Sequence, residues 1–113
     1  MKYYSIIIDN GNSSIYPQID EILEVKSNYP EAGWGLEIVE DELDDSINPI
    51  LYLLSILENK YQLLENIGVS REYITIWILY EYENQCNIEL TPEELKSISN
   101  SGISLCISCW EKE

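Results

Sequence analysis

The stretch Tyr73–Tyr82, reading Tyr-Ile-Thr-Ile-Trp-Ile-Leu-Tyr-Glu-Tyr, constrains the fold more than any other part of the chain. Its β-branched and aromatic side chains favour extended backbone and predict a strand. Alternation places Ile74, Ile76, Ile78, Tyr80 and Tyr82 on one face, and Tyr73, Thr75, Trp77, Leu79 and Glu81 on the other. Both faces are largely apolar, so the strand is expected to run through the interior of a sheet rather than along its edge.

The remaining elements follow from local chemistry. Tyr3–Asp9 alternates as a first strand, and Asn10-Gly11 supplies the turn that ends it. Ser14 reads as the cap of a helix over Ile15–Glu24, with Pro17 in the first turn, where no helical N–H is lost. Lys26–Gly33 contains Asn28, Pro30 and Gly33 and reads as a loop. Trp34–Val39 is a short strand running into acidic sequence, as an edge strand does.

Glu40–Asp45 reads as a charged turn, and Ser46 as the cap of one long helix over Ile47–Ile67. Its apolar stripe is Ile47, Ile50, Leu51, Leu54, Leu57, Tyr61, Leu64 and Ile67, and Gly68 suits the left-handed position after it. Asp44 and Asp45 precede the positive helix end. A helix of that span is a rod of about 31 Å. Asn84-Gln85 is expected to turn the chain into a brief strand over Cys86–Leu90.

Thr91-Pro92-Glu93-Glu94 carries a full helix-start signal: Thr91 as cap, Pro92 at the first position, and Glu94 closing a capping box. That helix runs to about Asn100 and ends at Gly102; Ile103–Trp110 is the last strand, and Glu111–Glu113 a frayed end. The order predicts a single α+β domain over residues 1–113. It has one mixed β-sheet of four to five strands, with helices packed mainly on one face. The covered face would carry Ile6, Ile76 and Leu105, and a partly open face Tyr3, Trp77 and Trp110.

Charge and missing residue types narrow the function classes. Twenty-one acidic residues oppose six basic ones, a net charge of −15. Such a field repels phosphate backbones and anionic membranes, which argues against direct nucleic-acid or membrane binding. It would attract a strongly basic protein, although acidity also serves solubility alone. There is no histidine, which removes the commonest general base and most zinc and haem sites. The first apolar run is too short for a signal peptide, and no run approaches the ~20 residues that span a bilayer. Three cysteines without framework spacing suit a reducing compartment, so a cytoplasmic protein is expected.

Three features are candidates for a site. Glu37, Glu40, Asp41, Glu42, Asp44 and Asp45 place six carboxylates in nine positions. They lack the glycine-containing order of a calcium-binding EF-hand loop. Paired carboxylates can cleave glycosides, but only within a pocket. A solvated turn and a docking patch for a basic partner are the other readings. Cys106-x-x-Cys109 has the spacing of a redox or zinc half-site. On a strand, though, residues three apart point to opposite faces, so packing thiols are expected and no metal or other cofactor. Tyr3, Trp77 and Trp110 form either an interaction surface or a face covered by another element.

Taken together, the apolar strand 73–82, Ile88-Glu89-Leu90-Thr91-Pro92-Glu93-Glu94-Leu95 and Gly102-Ile103-Ser104-Leu105-Cys106-Ile107 resemble the C-terminal half of the bacterial domain-of-unknown-function 4279 family. The first strand, Trp34 after Gly33 and the long amphipathic stretch fall in the family's order. Asn84-Gln85 stands where the family has a glycine-rich turn. The resemblance implies a small α+β domain and no catalytic residues.

By analogy with small acidic immunity proteins, the expected role is a non-enzymatic binding module that blocks the active site of a basic toxin domain, a nuclease being one candidate. Its contacts would come from the six carboxylates with Trp77 and Trp110. The alternative is a homodimer or scaffold built on the aromatic face.

Overall fold

Alternating apolar segments pair into one sheet in the order β2-β1-β3-β4. The strands are β1 (Lys2–Ile8), β2 (Trp34–Val39), β3 (Ile74–Tyr82) and β4 (Ser104–Glu111) in the computed structural model, which describes residues 1–30 and 33–113. β1 runs antiparallel to both β2 and β3, while β4 runs parallel to β3. The sheet is therefore mixed, and the stretch around Trp77 lies inside it, flanked on both sides. Among the described residues four α-helices complete the α+β fold: α1 (Tyr16–Leu23), α2 (Pro49–Leu57), α3 (Tyr61–Asn66) and α4 (Pro92–Ser101). α4 is the crossover that a parallel β3–β4 pair requires.

The register decides which face is buried. Tyr4 pairs with Ile78, Ile6 with Ile76 and Ile8 with Ile74, and all six are buried. Leu36 and Trp34 join them from β2. Ile19 and Leu23 of α1, Ile50, Leu53, Leu54 and Leu57 of α2, Leu64 of α3 and Ile98 of α4 pack into the same cluster. Each fully buried Ile or Leu contributes roughly 1.5–3 kcal/mol by leaving water. All four helices thus serve the Ile6–Ile76–Leu105 side, as the alternation predicted.

Trp34 is fully buried, and its indole N–H donates to Asp20 Oδ1 at 2.7 Å. The same oxygen accepts the Ser27 N–H at 3.1 Å, so one carboxylate ties α1 to the start of β2. The outer edge of β2 is closed by the chain before it. Asn28 and Tyr29 donate their N–H groups to the Gly35 carbonyl at 3.0 and 3.1 Å. The Asn28 side chain brackets Glu37, accepting its N–H at 2.7 Å and donating to its carbonyl at 2.9 Å. A side chain at Gly35 would meet the Tyr29 carbonyl. Residues 26–29 have no helix or strand, as expected of the loop; its positions 31 and 32 lie outside the described residues.

Three expectations are corrected. The single helix over 47–67 is two helices. Glu58 leaves helical geometry at ψ 132°, and Asn59 takes the left-handed conformation at φ 65°. Asparagine tolerates that conformation better than most residues, which makes it a natural break point. Caps also differ. Asn48 Oδ1, not Ser46, accepts the Leu51 N–H at 3.0 Å, because Ser46 is held by Asp44. Asn12, not Ser14, caps the first turn, which is a 3-10 turn over Ser13–Ile15. Finally, Cys86–Leu90 forms no strand; Ile88 and Leu90 pack against the core instead, and β4 already occupies the free edge of β3. The capping box at Thr91–Glu94 is present as predicted, and Gly102 is left-handed at φ 70°.

Candidate functional site

The acidic turn begins where β2 ends. Glu40–Glu42 makes one 3-10 turn, closed by the Leu43 N–H donating to the Glu40 carbonyl at 3.1 Å. Glu40 is anchored from below: the Tyr4 hydroxyl, in the core, donates to Glu40 Oε2 at 2.9 Å. Burial, and then the Glu40 carboxylate beside it, push the Tyr4 hydroxyl well above the ordinary tyrosine range. Asp44 accepts the Ser46 N–H at 2.9 Å and the Ser46 hydroxyl at 2.8 Å. Those two donors favour its ionised form and lower its pKa.

Glu40, Asp41, Glu42, Asp44 and Asp45 are all exposed. The described ion pairs, Lys60–Glu24 and Lys112–Glu83, involve none of these five. Glu40, Asp44 and Asp45 border a cleft of about 270 Å³ with Leu43, Ile47 and Pro49. On its other flank Glu40, with Asp41, borders a shallower cleft of about 680 Å³ that includes Tyr80, Tyr82, Lys2 and Lys112. There Lys2 lies over the Tyr80 ring at 5.1 Å, and the terminal amine donates to the Glu81 carbonyl at 2.7 Å.

Glu37 is separated from this group. It belongs to the sheet face opposite the helices, in one cross-strand row with Ser5, Trp77 and Cys106. With strands about 4.8 Å apart, Glu37 and Trp77 sit about 10 Å from each other across Ser5. The next row holds Val39, Tyr3, Leu79 and Ser108, and Trp110 stands beside Glu81 at the end of β4. No helix among the described residues covers this face, since each contributes its buried side chains to the other. Trp77 is half-buried between its neighbours, whereas Trp110 is 41% exposed. From strand geometry the Cα positions of the two tryptophans are about 14 Å apart.

The structure thus gathers the predicted residues into two adjoining surfaces. Glu37, Trp77 and Trp110 share the open sheet face; Glu40, Asp41, Glu42, Asp44 and Asp45 wrap the end of β2. Among the described residues no group of three or more His, Cys, Asp or Glu side chains is arranged to hold a metal ion. Glu94, the buried carboxylate, is committed to its capping box: it accepts the Thr91 N–H at 2.9 Å. Among the described residues no helix is long and apolar enough to cross a membrane.

Two features escaped the sequence reading. The Tyr4–Glu40 bond joins residues thirty-six apart, and nothing local announces it. Cys106 and Cys109 do diverge, as strand geometry requires: Cys106 lies opposite Trp77 and Cys109 opposite Tyr80. Cys109 instead meets Cys86, with their Sγ atoms 2.8 Å apart. Compared with known proteins, the chain matches no protein-family model, no curated protein and no solved structure.

Proposed function

We propose that this chain is a non-catalytic acidic binding module of the immunity-protein kind. In this role it neutralises a basic toxin domain, a nuclease being the best-fitting case, by covering its active site. The supporting observation is the exposed array of Asp41, Glu42, Asp44 and Asp45, held on a structured turn beside an uncovered aromatic sheet face. A net charge of −15 would steer encounter with a basic partner. The carboxylates would stand where a nuclease binds phosphates. An indole, Trp77 or Trp110, would supply the desolvated anchor that holds the complex together.

The same charge makes nucleic acid and anionic membranes poor partners. The setting proposed is the cytoplasm, which suits three free cysteines. We also propose a distant kinship with the domain-of-unknown-function 4279 family, resting on residues 73–107.

The test is inhibition of a panel of purified basic bacterial nuclease-toxin domains. One member should be inhibited stoichiometrically, with an association rate that falls steeply with salt. Reversing Asp41, Glu42, Asp44 and Asp45 to lysine adds two charges per site and moves −15 to −7. This should slow association at least tenfold at low salt and leave dissociation nearly unchanged. Trp77→Ala or Trp110→Ala should do the reverse. An association rate indifferent to the four reversals would reject the turn as the steering surface, and a turnover catalysed by the purified chain would reject the reading itself.

A second reading, self-association through the open face, is favoured by the exposure of Trp110. It requires a concentration-dependent dimer in sedimentation that Trp110→Ala weakens, and a strict monomer at high concentration would rule it out.

A further inference from the structure

The binding role leaves one pair of nucleophilic side chains unused. Cys86 lies just past the end of β3, in the stretch that leads to α4, and Cys109 lies on β4 opposite Tyr80, on the helix side of the sheet. Both are free thiols, both are exposed, and their Sγ atoms point at each other across 2.8 Å. The remaining thiol, Cys106, belongs to the opposite face beside Trp77 and cannot join them without turning the strand over.

We propose that Cys86 and Cys109 are a reversible redox-modification site, closing to an intramolecular disulfide at the expense of a low-molecular-weight disulfide such as glutathione disulfide. The two chain segments already hold the sulfurs face to face at 2.8 Å, within about 1 Å of the S–S bond length. Both are open to solvent, which is the access condition for exchange. The hydrogen bond to Cys86 beside it raises the Cys109 pKa.

One cysteine of the pair, as its thiolate, attacks one sulfur of the oxidant; the oxidant's S–S bond breaks, a new S–S bond forms, and one glutathione thiolate departs and takes up a proton. The other cysteine then gives its proton to solvent and attacks the Sγ of the first, expelling the second glutathione as a thiol. Two cysteine thiols are oxidised and one glutathione disulfide is reduced to two thiols, with no atom left over.

The bond would join the approach to α4 with the far end of β4 and so pin the segment 83–91. That segment borders the cleft shared by Glu40, Asp41 and Tyr80 through Glu83 and its neighbours. Oxidation would therefore stiffen one wall of that cleft, whatever the cleft binds.

The experiment equilibrates the full chain in glutathione buffers of graded redox ratio, followed by thiol alkylation, mass spectrometry and digestion with a glutamyl endopeptidase. Two thiols should disappear in one two-electron transition while Cys106 stays alkylatable. Cys106→Ser should titrate like the parent. Cys86→Ser and Cys109→Ser should each stop at a mixed disulfide with glutathione. Cleavage after Glu83 and Glu89 should slow several-fold in the oxidised form. A lasting mixed disulfide in the parent chain, a bridge containing Cys106, bridges only between molecules, or cleavage unchanged by oxidation would each overturn the proposal. Cys86 and Cys109 are exposed, and Cys86→Ala repeats the test should Cys86→Ser misfold.

Discussion

Replacing Tyr4 with phenylalanine tests how the acidic turn is tied to the core. Tyr4 is only 7% exposed, and its ring packs in the helix-side cluster, which phenylalanine would keep. What is lost is the hydroxyl donating to Glu40 Oε2 at 2.9 Å. A bond to a charged acceptor is worth about 1.5–3 kcal/mol, but Glu40 is exposed and regains water. The expected cost at pH 7 is therefore the low end, about 1.5 kcal/mol.

The pH dependence is more specific. In the unfolded chain Tyr4 ionises near the ordinary value of 10.0, and in the folded chain burial and Glu40 hold its proton to higher pH. Above pH 10 the native state thus binds more protons than the unfolded state, and stability falls as pH rises. The contribution of Tyr4 is whole below its unfolded pKa and drains away as pH climbs toward the folded one, at ~1.4 kcal/mol per pH unit. Tyr61 is also raised, chiefly by burial, but it is common to both proteins and cancels in the difference.

The gap between parent and Tyr4→Phe should accordingly be constant up to about pH 10 and close within roughly one unit above it. Urea unfolding followed by tryptophan fluorescence between pH 7 and 11 reads this directly, with the exposed Tyr52→Phe as control. Hydrogen exchange at the Leu43 N–H should also quicken. Parallel stability curves across the whole range would refute the coupling of Tyr4 to Glu40.

Other substitutions probe the remaining joints. Asp20→Ala removes the acceptor of both Trp34 Nε1–H and the Ser27 N–H and leaves a fully buried indole donor without a partner, so urea unfolding should show a loss of about 2–4 kcal/mol. Asp20→Asn, which keeps an acceptor, should recover most of it. Thr91→Ala breaks the capping box at α4 and should cost about 1 kcal/mol in thermal unfolding. Asn59→Ala should destabilise by about 1 kcal/mol and Asn59→Gly should not, because position 59 is left-handed; a stabilising alanine would mean a continuous helix.

The sheet was legible because its signals are local and repeated. Alternation in Tyr73–Tyr82 fixes both its interior position and the face given to Ile74, Ile76 and Ile78. The same holds for the capping box, where Thr91 and Glu94 answer each other within one turn. The break at Asn59 was hidden for a definite reason. Leu57, Tyr61 and Leu64 keep helical spacing through it, so the apolar stripe reads as unbroken while the backbone is not. Caps were misplaced by two residues because serine and asparagine compete for the role. Asn12 and Asn48 won it, and Ser46 was drawn to Asp44. Within the candidate site the charge of each residue was readable. Its grouping was not, because Glu37 parts from Glu40 only through the strand register.

The two readings of the open face differ in the sign of a salt effect. Copies of a chain carrying −15 repel each other, and the repulsion is strongest where Asp41–Asp45 and Glu37 approach a second copy. Salt shortens the reach of that repulsion to about 10 Å at 0.1 M and 3 Å at 1 M. Self-association through Trp77 and Trp110 should therefore strengthen as salt rises, and still more because apolar burial does not weaken. Binding to a basic partner should weaken over the same range, since it is attraction that is being screened. Two of the three tryptophans stand on the side without helices, while Trp34 alone joins the core. Trp110 is exposed, so Trp110→Ala can be compared in both assays at little cost to the fold. An interaction that tightens with salt and is lost in Trp110→Ala identifies a dimer face. One that loosens with salt and is slowed by the four lysine reversals identifies a steering surface for a cation-rich protein. An interaction indifferent to salt and to both sets of substitutions would show that neither surface is used.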